Sequence, residues 1–236
     1  FFSRKSHKYY VDGKAADFSV SEYIESIFGK PDIKGDYSHS QAIGNTADAI
    51  YRDYFDPRKD VNATRYPNLN TQRKAEILAD IKRFEAFLDK KFGVKDGVRQ
   101  YKVITSEFPI AARFDTPQGM KTIAGTMDMV VIDKNGDIWI YDFKAKNHPI
   151  TQTYYGKEVS DRRNYTAQQN LYRAILEANP AHKGKVKGLS LVWMDTAYPK
   201  LSEAQYSTDK NTNEVTVVVS DGTKKQMITK MQLLLI

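Results

Sequence analysis

The fold is decided by Ile123-Ala-Gly-Thr-Met-Asp128 and Ile138-Trp-Ile-Tyr-Asp142-Phe-Lys144, two apolar stretches that each carry an aspartate. The first lies in a predicted strand over Thr122–Ile132 and the second in a predicted strand over Asp137–Lys144. The connection contains Asn135-Gly136, a strong hairpin signal. The pattern therefore predicts two neighbouring antiparallel strands with a carboxylate in each.

These carboxylates predict a metal site. Asp142 and Lys144 are two residues apart in a strand, so they share one face of the sheet, and the hairpin brings Asp128 close to them. Two neighbouring carboxylates are costly to desolvate unless a hard cation neutralises them, and Mg²⁺ takes one or two carboxylates in such sites. An ammonium at Lys144 would orient an attacking water and stabilise charge on a phosphate.

The alternative is that Asp128 and Asp142 are ordinary strand-end carboxylates and that Lys144 is a solvated edge charge. For any one of these residues alone, this alternative is the more frequent case. Aspartate is unfavourable inside strands, however. Two aspartates in adjacent apolar strands, with a lysine two positions beyond the second, therefore favour the metal site.

The elements on either side predict a mixed α/β fold in which a sheet is flanked by helices, with a helical N-terminal region. Ser19 and Glu22 form a predicted capping box at the start of a helix that ends at Phe28. The other predicted helices are Ser40–Phe55, Thr71–Phe92 and Tyr165–Ala178, and the other predicted strands are Tyr101–Pro109, Val186–Met194 and Glu214–Val219.

Composition excludes several classes of protein. The chain has 236 residues, of which 41% are hydrophobic and 28% are charged, which is typical of a globular domain. It has no cysteine, and this excludes disulfides, zinc ribbons, iron–sulfur clusters and thiol nucleophiles. No apolar run is long enough to span a membrane. The net charge of +7 favours an anionic partner.

Three motifs occur in order: Gly125-x-x-Asp128, Asp142-x-Lys144 and Gln168-x-x-x-Tyr172. Together they resemble the RecB-like branch of the PD-(D/E)XK nuclease superfamily, which includes helicase-associated, CRISPR adaptation and phage exonucleases. The resemblance implies a restriction-endonuclease-like fold and one nuclease domain over residues 1–236. Its N-terminal part, residues 1–95, is expected to be mainly helical, and residues 100–195 are expected to form the catalytic core.

The resemblance also implies roles for individual residues. Asp128 and Asp142 would bind Mg²⁺ or Mn²⁺, and Lys144 would be the catalytic lysine. Gln168 and Tyr172 would touch the DNA backbone or the water near the scissile phosphate. The alternative for this last pair is a helix-surface contact with Tyr172 half in the core.

Two further acidic residues are candidate metal ligands. Glu107 matches an acidic position that precedes the Gly-x-x-Asp motif in relatives, although a solvent-facing strand glutamate is an alternative. Many relatives also carry a helix histidine after a glycine, where this chain has Gly44-Asn-Thr-Ala-Asp48. Asp48 could supply an oxygen ligand in its place. The alternative is an exposed helix carboxylate.

The expected function is a magnesium-dependent deoxyribonuclease, favoured as an exonuclease of recombination, repair or phage replication. Its partner would be DNA, with Lys146, Arg162, Arg163 and Tyr165 along the DNA track, in the cytoplasm of a bacterial or phage-infected cell. The chain begins with Phe1, which suggests excision from a longer protein with helicase or other domains. Two rivals stay open: an inactive nucleic-acid-binding scaffold of the same fold, and a sheet protein without a nucleic-acid role.

Overall fold

The computed structural model describes residues 2–3, 8–29, 38–66, 69–105, 108–117, 119–146, 159–195, 201–206, 217–218 and 224–225. Within these ranges, no helix combines the length and hydropathy that crossing a lipid bilayer requires.

The helices are α1 (Val20–Phe28), α2 (Ser38–Phe55), α3 (Thr71–Phe92) and α4 (Val159–Glu177), and a 3₁₀ turn covers Pro180–His182. The strands are β1 (Phe2–Ser3), β2 (Lys8–Val11), β3 (Lys14–Ala15), β4 (Phe18–Ser19), β5 (Val94–Lys95), β6 (Val98–Arg99), β7 (Tyr101–Ile104), β8 (Phe108–Thr116), β9 (Gly119–Met127), β10 (Met129–Asp133), β11 (Ile138–Lys146), β12 (Val186–Asp195), β13 (Leu201–Tyr206), β14 (Val217–Val218) and β15 (Lys224–Lys225).

Helix α1 begins at the predicted capping box. The backbone N–H of Glu22 donates to the Ser19 hydroxyl at 3.1 Å, and the backbone N–H of Ser19 donates to the Glu22 carboxylate at 2.7 Å. These two bonds satisfy N–H groups that the first turn of a helix leaves without helical acceptors. The prediction of this helix is confirmed from its first to its last residue.

The central sheet has the strand order β13-β12-β11-β10-β7. Strands β10 and β11 are antiparallel, as their Asn-Gly connection predicts, with Met129 opposite Tyr141. Strands β11 and β12 are parallel, and α4 lies between them in the chain. A parallel pair needs such a crossover. The sheet is mixed because it contains both antiparallel and parallel pairs. The expected mixed α/β class with flanking helices is confirmed.

Alternate residues of β11 enter two different cores, one on each face of this sheet. Ile138 and Ile140 belong to a cluster that includes residues of α1 and α4, while Tyr141 and Phe143 belong to a cluster that includes residues of α2 and α3. The first, the α1/α4 cluster, contains Val20, Ile24, Ile123, Val130, Leu171, Tyr172 and Ile175, among others. The second, the α2/α3 cluster, contains Ile50, Tyr51, Ile81, Phe84, Met129 and Val131, among others.

The predicted single strand Thr122–Ile132 is wrong, because it is two strands in two sheets. Strand β9 pairs with β8 and β4, whereas β10 pairs with β11 and β7. The chain bends at Asp128 between them. Buried apolar residues lie on both sides of Asp128, so periodicity alone does not mark the change of sheet.

The predicted strand Tyr101–Pro109 is divided in the same way. Strand β7 ends at Ile104 in the central sheet, and β8 begins at Phe108 in the smaller sheet. The sequence prediction also lacks the N-terminal hairpin β2–β3. Its turn is Asp12-Gly13, with φ angles of 51° and 77°. This pair of left-handed residues suits a tight hairpin turn, and Asp-Gly is a common sequence for it.

Candidate active site

Asp128 and Asp142 lie side by side at one end of the β10–β11 pair. Met129 is opposite Tyr141 in the register, so the next position along each strand is Asp128 on one side and Asp142 on the other. The backbone N–H of Phe143 donates to Oδ2 of Asp128 at 2.9 Å. The Asp128 carboxylate is thereby held against the segment of β11 that carries Asp142.

Both aspartates belong to the α1/α4 side of the sheet. Asp142 follows the alternation of Ile138 and Ile140, and Asp128 that of Val130, all of which are in the α1/α4 cluster. Asp142 is only 2% exposed. A carboxylate so deeply buried is costly to keep charged without a compensating partner.

Tyr172 of α4 is close enough to Asp142 and Asp128 for their charges to affect its hydroxyl. Burial raises the pKa of its hydroxyl well above the ordinary value, and the negative charges of Asp142 and Asp128 raise it further. The hydroxyl donates to the backbone carbonyl of Thr126 at 2.8 Å and accepts from Nε2 of Gln168 at 3.0 Å. Tyr172 is 4% exposed. The predicted pair is therefore brought to the aspartates, with the tyrosine buried in the core and bonded to the end of β9.

Gly125 is required by this packing. A Cβ added at Gly125 would lie 2.7 Å from Cγ2 of Val20 and 2.9 Å from Cε1 of Tyr172. Distances this short are not found between real Cβ atoms and their neighbours. The glycine of the Gly-x-x-Asp motif thus allows α1 and the tyrosine of α4 to pack directly on β9.

The remaining predicted residues on this side are located only in part. Lys144 occupies β11 two positions beyond Asp142, in register with Trp193 of β12. The side chains of Lys144, Lys146, Arg162 and Arg163 and the whole of Glu107 lie outside the described part of the structure. Tyr165 is half-buried and packs against the α1/α4 cluster.

Asp48, the candidate replacement for the helix histidine, forms an ion pair within its own helix. Asp48 lies on α2, whose residues Ala47, Ile50 and Tyr51 pack in the α2/α3 cluster on the opposite face of the sheet. Its carboxylate is 3.3 Å from the guanidinium of Arg52 one turn later. Among the described residues, no three His, Cys, Asp or Glu side chains come together in an arrangement that could hold a metal ion.

The donor chemistry of the pair nevertheless fits a divalent cation. Asp128 and Asp142 supply carboxylate oxygens, which are the ligands that Mg²⁺ and Mn²⁺ prefer. Mg²⁺ commonly takes only one or two carboxylates from the protein. Two described ligands therefore suffice for such a site.

Two polar residues at this end of β9 were not expected from the sequence. The hydroxyl of Tyr9, on β2, is 3.0 Å from Oγ1 of Thr126, and either oxygen can be the donor. Thr126 lies within the Gly125-to-Asp128 motif, but at a position that the motif leaves open. The Asp12-Gly13 turn signal could have indicated the hairpin that carries Tyr9, but not its partner, because the two residues are far apart in the sequence.

Comparison with known proteins identifies the family of this chain. The sequence profile described as the PD-(D/E)XK nuclease superfamily matches residues 22–232. No curated protein matches the sequence significantly. A solved structure titled "Crystal structure of SSO0001" is 13% identical and covers 80% of this chain and 77% of that chain, with a TM-score of 0.32. At this identity and TM-score, the likeness supports no inference about the fold or the function of this chain. The profile match spans most of the chain, in agreement with the mixed α/β sheet, and the chain belongs to the PD-(D/E)XK nuclease superfamily.

Proposed function

We propose that this protein is a magnesium- or manganese-dependent deoxyribonuclease that hydrolyses phosphodiester bonds with Asp128, Asp142 and Lys144. The observation that carries the proposal is the adjacency of the two aspartates: Asp128 accepts the N–H of the residue that follows Asp142, at 2.9 Å. Membership of a nuclease superfamily whose members generally use divalent metals supports the same chemistry.

Asp128 and Asp142 would hold the cation by their carboxylate oxygens. A divalent cation at this position neutralises the two carboxylates and stabilises negative charge that develops on a phosphate. Burial of Asp142 strengthens the interaction, because a charge in a low-dielectric environment attracts a cation more strongly than a solvated one does. Asp142 lies in β11 and Asp128 immediately precedes β10, and the bond from the Phe143 N–H to Asp128 holds the two close together.

Lys144 would place a cationic ammonium beside the phosphate that is cleaved. Its contribution is electrostatic, because an ammonium stabilises the additional negative charge of the transition state. Gln168 and Tyr172 support the site from α4. Their hydrogen bonds fix the carbonyl of Thr126, two residues before Asp128.

The exonuclease activity and the RecB-like branch belong to the same proposal. The support is the ordered set of three motifs ending in Gln168-x-x-x-Tyr172. Two of these residues have a packing relationship, because the absence of a side chain at Gly125 leaves room for Tyr172 against β9.

The test is cleavage of end-labelled linear, closed-circular and single-stranded DNA in the presence of Mg²⁺, Mn²⁺ or a chelator. We expect metal-dependent degradation of linear DNA, with closed circles resistant. Asp142→Asn and Lys144→Ala should remove cleavage without preventing DNA binding. Asp115→Asn is the matched control, because Asp115 is an exposed aspartate of β8.

Three outcomes would overturn all or part of this proposal. Salt-sensitive DNA binding without cleavage by the wild type would favour the scaffold of the same fold. Cleavage by Asp142→Asn at the wild-type rate would exclude Asp142 as a ligand. Cutting of closed circles would exclude a strict exonuclease while leaving the hydrolase assignment intact.

A further inference from the structure

We propose that Tyr9, on the N-terminal hairpin, is a positioning residue of the nuclease site: its hydroxyl holds Thr126, and through Thr126 the end of β9 that leads into Asp128. The inference rests on the proposed function. It adds a segment that lies more than a hundred residues before the aspartates, and that none of the three motifs includes.

Thr126 is held from two directions. Its side-chain hydroxyl is 3.0 Å from the hydroxyl of Tyr9, and its backbone carbonyl accepts the hydroxyl of Tyr172 at 2.8 Å. Gln168 donates in turn to Tyr172 at 3.0 Å. A continuous chain of hydrogen bonds therefore runs from the N-terminal hairpin, through Thr126, to α4.

These bonds add to the sheet pairing near the end of β9. The register partner of Thr126 on β8 is Pro109, which has no N–H to donate. Two residues later, at Asp128, the chain bends out of the smaller sheet and into β10. The β8–β9 ladder ends at Met127, opposite Phe108, so the side-chain bonds to Thr126 hold the last residues of β9 just before the bend and help to set where Asp128 projects.

The hairpin is suited to act as an anchor because it is itself fixed to β9. The backbone N–H of Ala16 donates to the carbonyl of Tyr9 at 2.8 Å, which closes the hairpin. The next residue, Asp17, exchanges two bonds with Thr122: its N–H donates to the Thr122 carbonyl at 2.9 Å, and its carboxylate accepts the Thr122 N–H at 2.7 Å. Strand β4 then pairs with β9 in parallel.

Electrostatic interactions also connect Tyr9 and the two aspartates with Tyr172. The pKa of Tyr172 is raised first by burial, then by the charges of Asp142 and Asp128, and by Tyr9 as well. The hairpin tyrosine and both aspartates therefore lie within electrostatic range of Tyr172.

The experiment removes the Tyr9–Thr126 bond from each side. Tyr9→Phe retains the ring, and Thr126→Val retains the branched side chain and the carbonyl that Tyr172 uses. The matched control is Tyr54→Phe, which removes a hydroxyl that donates to Glu85 at 2.7 Å between α2 and α3. Steady-state cleavage of linear DNA with Mg²⁺, thermal unfolding, and calorimetric titration with Mn²⁺ in the absence of DNA are measured for each variant.

We expect Tyr9→Phe and Thr126→Val each to lower kcat about fivefold, equivalent to one hydrogen bond, with KM little changed. The double variant should be no slower than either single variant, because both changes remove the same bond. Mn²⁺ affinity should fall in parallel. Tyr54→Phe should lower the melting temperature while leaving kcat and Mn²⁺ affinity unchanged.

The inference is overturned if Tyr9→Phe has the kcat and Mn²⁺ affinity of Tyr54→Phe, or if the Tyr9 and Thr126 effects multiply. A rise in KM alone would also overturn it, since that result assigns Tyr9 to DNA contact. If the wild type binds Mn²⁺ but cleaves no DNA, the proposed function fails, and Mn²⁺ affinity of Tyr9→Phe still decides this inference. If the wild type does neither, both fail.

Discussion

The carboxylate of Asp128 accepts the backbone N–H of Phe143 at 2.9 Å, which links the bend between two sheets to the residue after Asp142. At this position the side chain of Asp128 takes the place of a backbone acceptor in the β10–β11 ladder. One bond therefore continues the sheet and also fixes the separation of the two carboxylates. Asp128 therefore has a structural role and a proposed chemical role, and substitutions can separate the two.

Asp128→Asn and Asp128→Ala should separate these two roles. Asparagine keeps an oxygen that can accept the Phe143 N–H, so we expect its free energy of unfolding to stay close to that of the wild type. Alanine leaves that N–H without its acceptor and should cost about 1–3 kcal/mol in urea denaturation. Both should lose DNA cleavage, because both remove the charge. Equal stability of the two variants would contradict the structural role, and cleavage by either would contradict the chemical one.

Divalent cations should stabilise the folded protein. A ligand that binds only the native state adds about 2.7 kcal/mol at a concentration one hundred times its Kd. We expect Mg²⁺ or Mn²⁺ to raise the melting temperature of the wild type and of Asp115→Asn, and a chelator to reverse the rise. Asp142→Asn should show no such increase, and a full increase in that variant would mean that the ion binds elsewhere.

Gly125→Ala should destabilise the protein through overpacking. The new methyl group meets Val20 at 2.7 Å and Tyr172 at 2.9 Å, and strain of this kind costs about 1–3 kcal/mol. Displacement of Tyr172 should also slow cleavage. Adding Val20→Ala should restore part of the stability by removing the closest contact. Wild-type stability and activity of Gly125→Ala would show that the packing is looser than these distances require.

Alkaline pH should weaken the fold through the tyrosines whose pKa is raised. The pKa of Tyr172 is raised by burial and by two carboxylates, and burial and the Glu85 carboxylate raise the pKa of Tyr54 to about 12. A raised folded pKa means that the stabilisation is complete below the unfolded value of about 10 and is lost as the pH rises through the folded pKa. Urea denaturation at several pH values above about 10 should show this loss. The loss should be smaller in Tyr172→Phe, and an unchanged pH dependence in that variant would remove Tyr172 as a contributor.

Much of the architecture can be predicted from local sequence because local interactions determine it. Helix α1 begins where Ser19 and Glu22 can bond to each other's backbone, and α3 begins after Asn70, whose side chain accepts the N–H of Arg73 at 2.8 Å. The β10–β11 hairpin follows from its Asn-Gly connection. Each signal involves residues only a few positions apart, so the chain needs no distant partner to express it.

The sequence by itself determined the flanking helices, the hairpin that pairs Asp128 with Asp142, and the order of the three motifs. Only the tertiary structure decided that the apolar run over Thr122–Ile132 changes sheet at Asp128, that Asp48 lies on the helix covering the opposite face, and that Tyr9 reaches Thr126. The physical reason is that an apolar side chain is buried equally well against either core. The apolar pattern of a segment indicates that its side chains are buried. Contacts between residues far apart in the chain decide which core they are buried in.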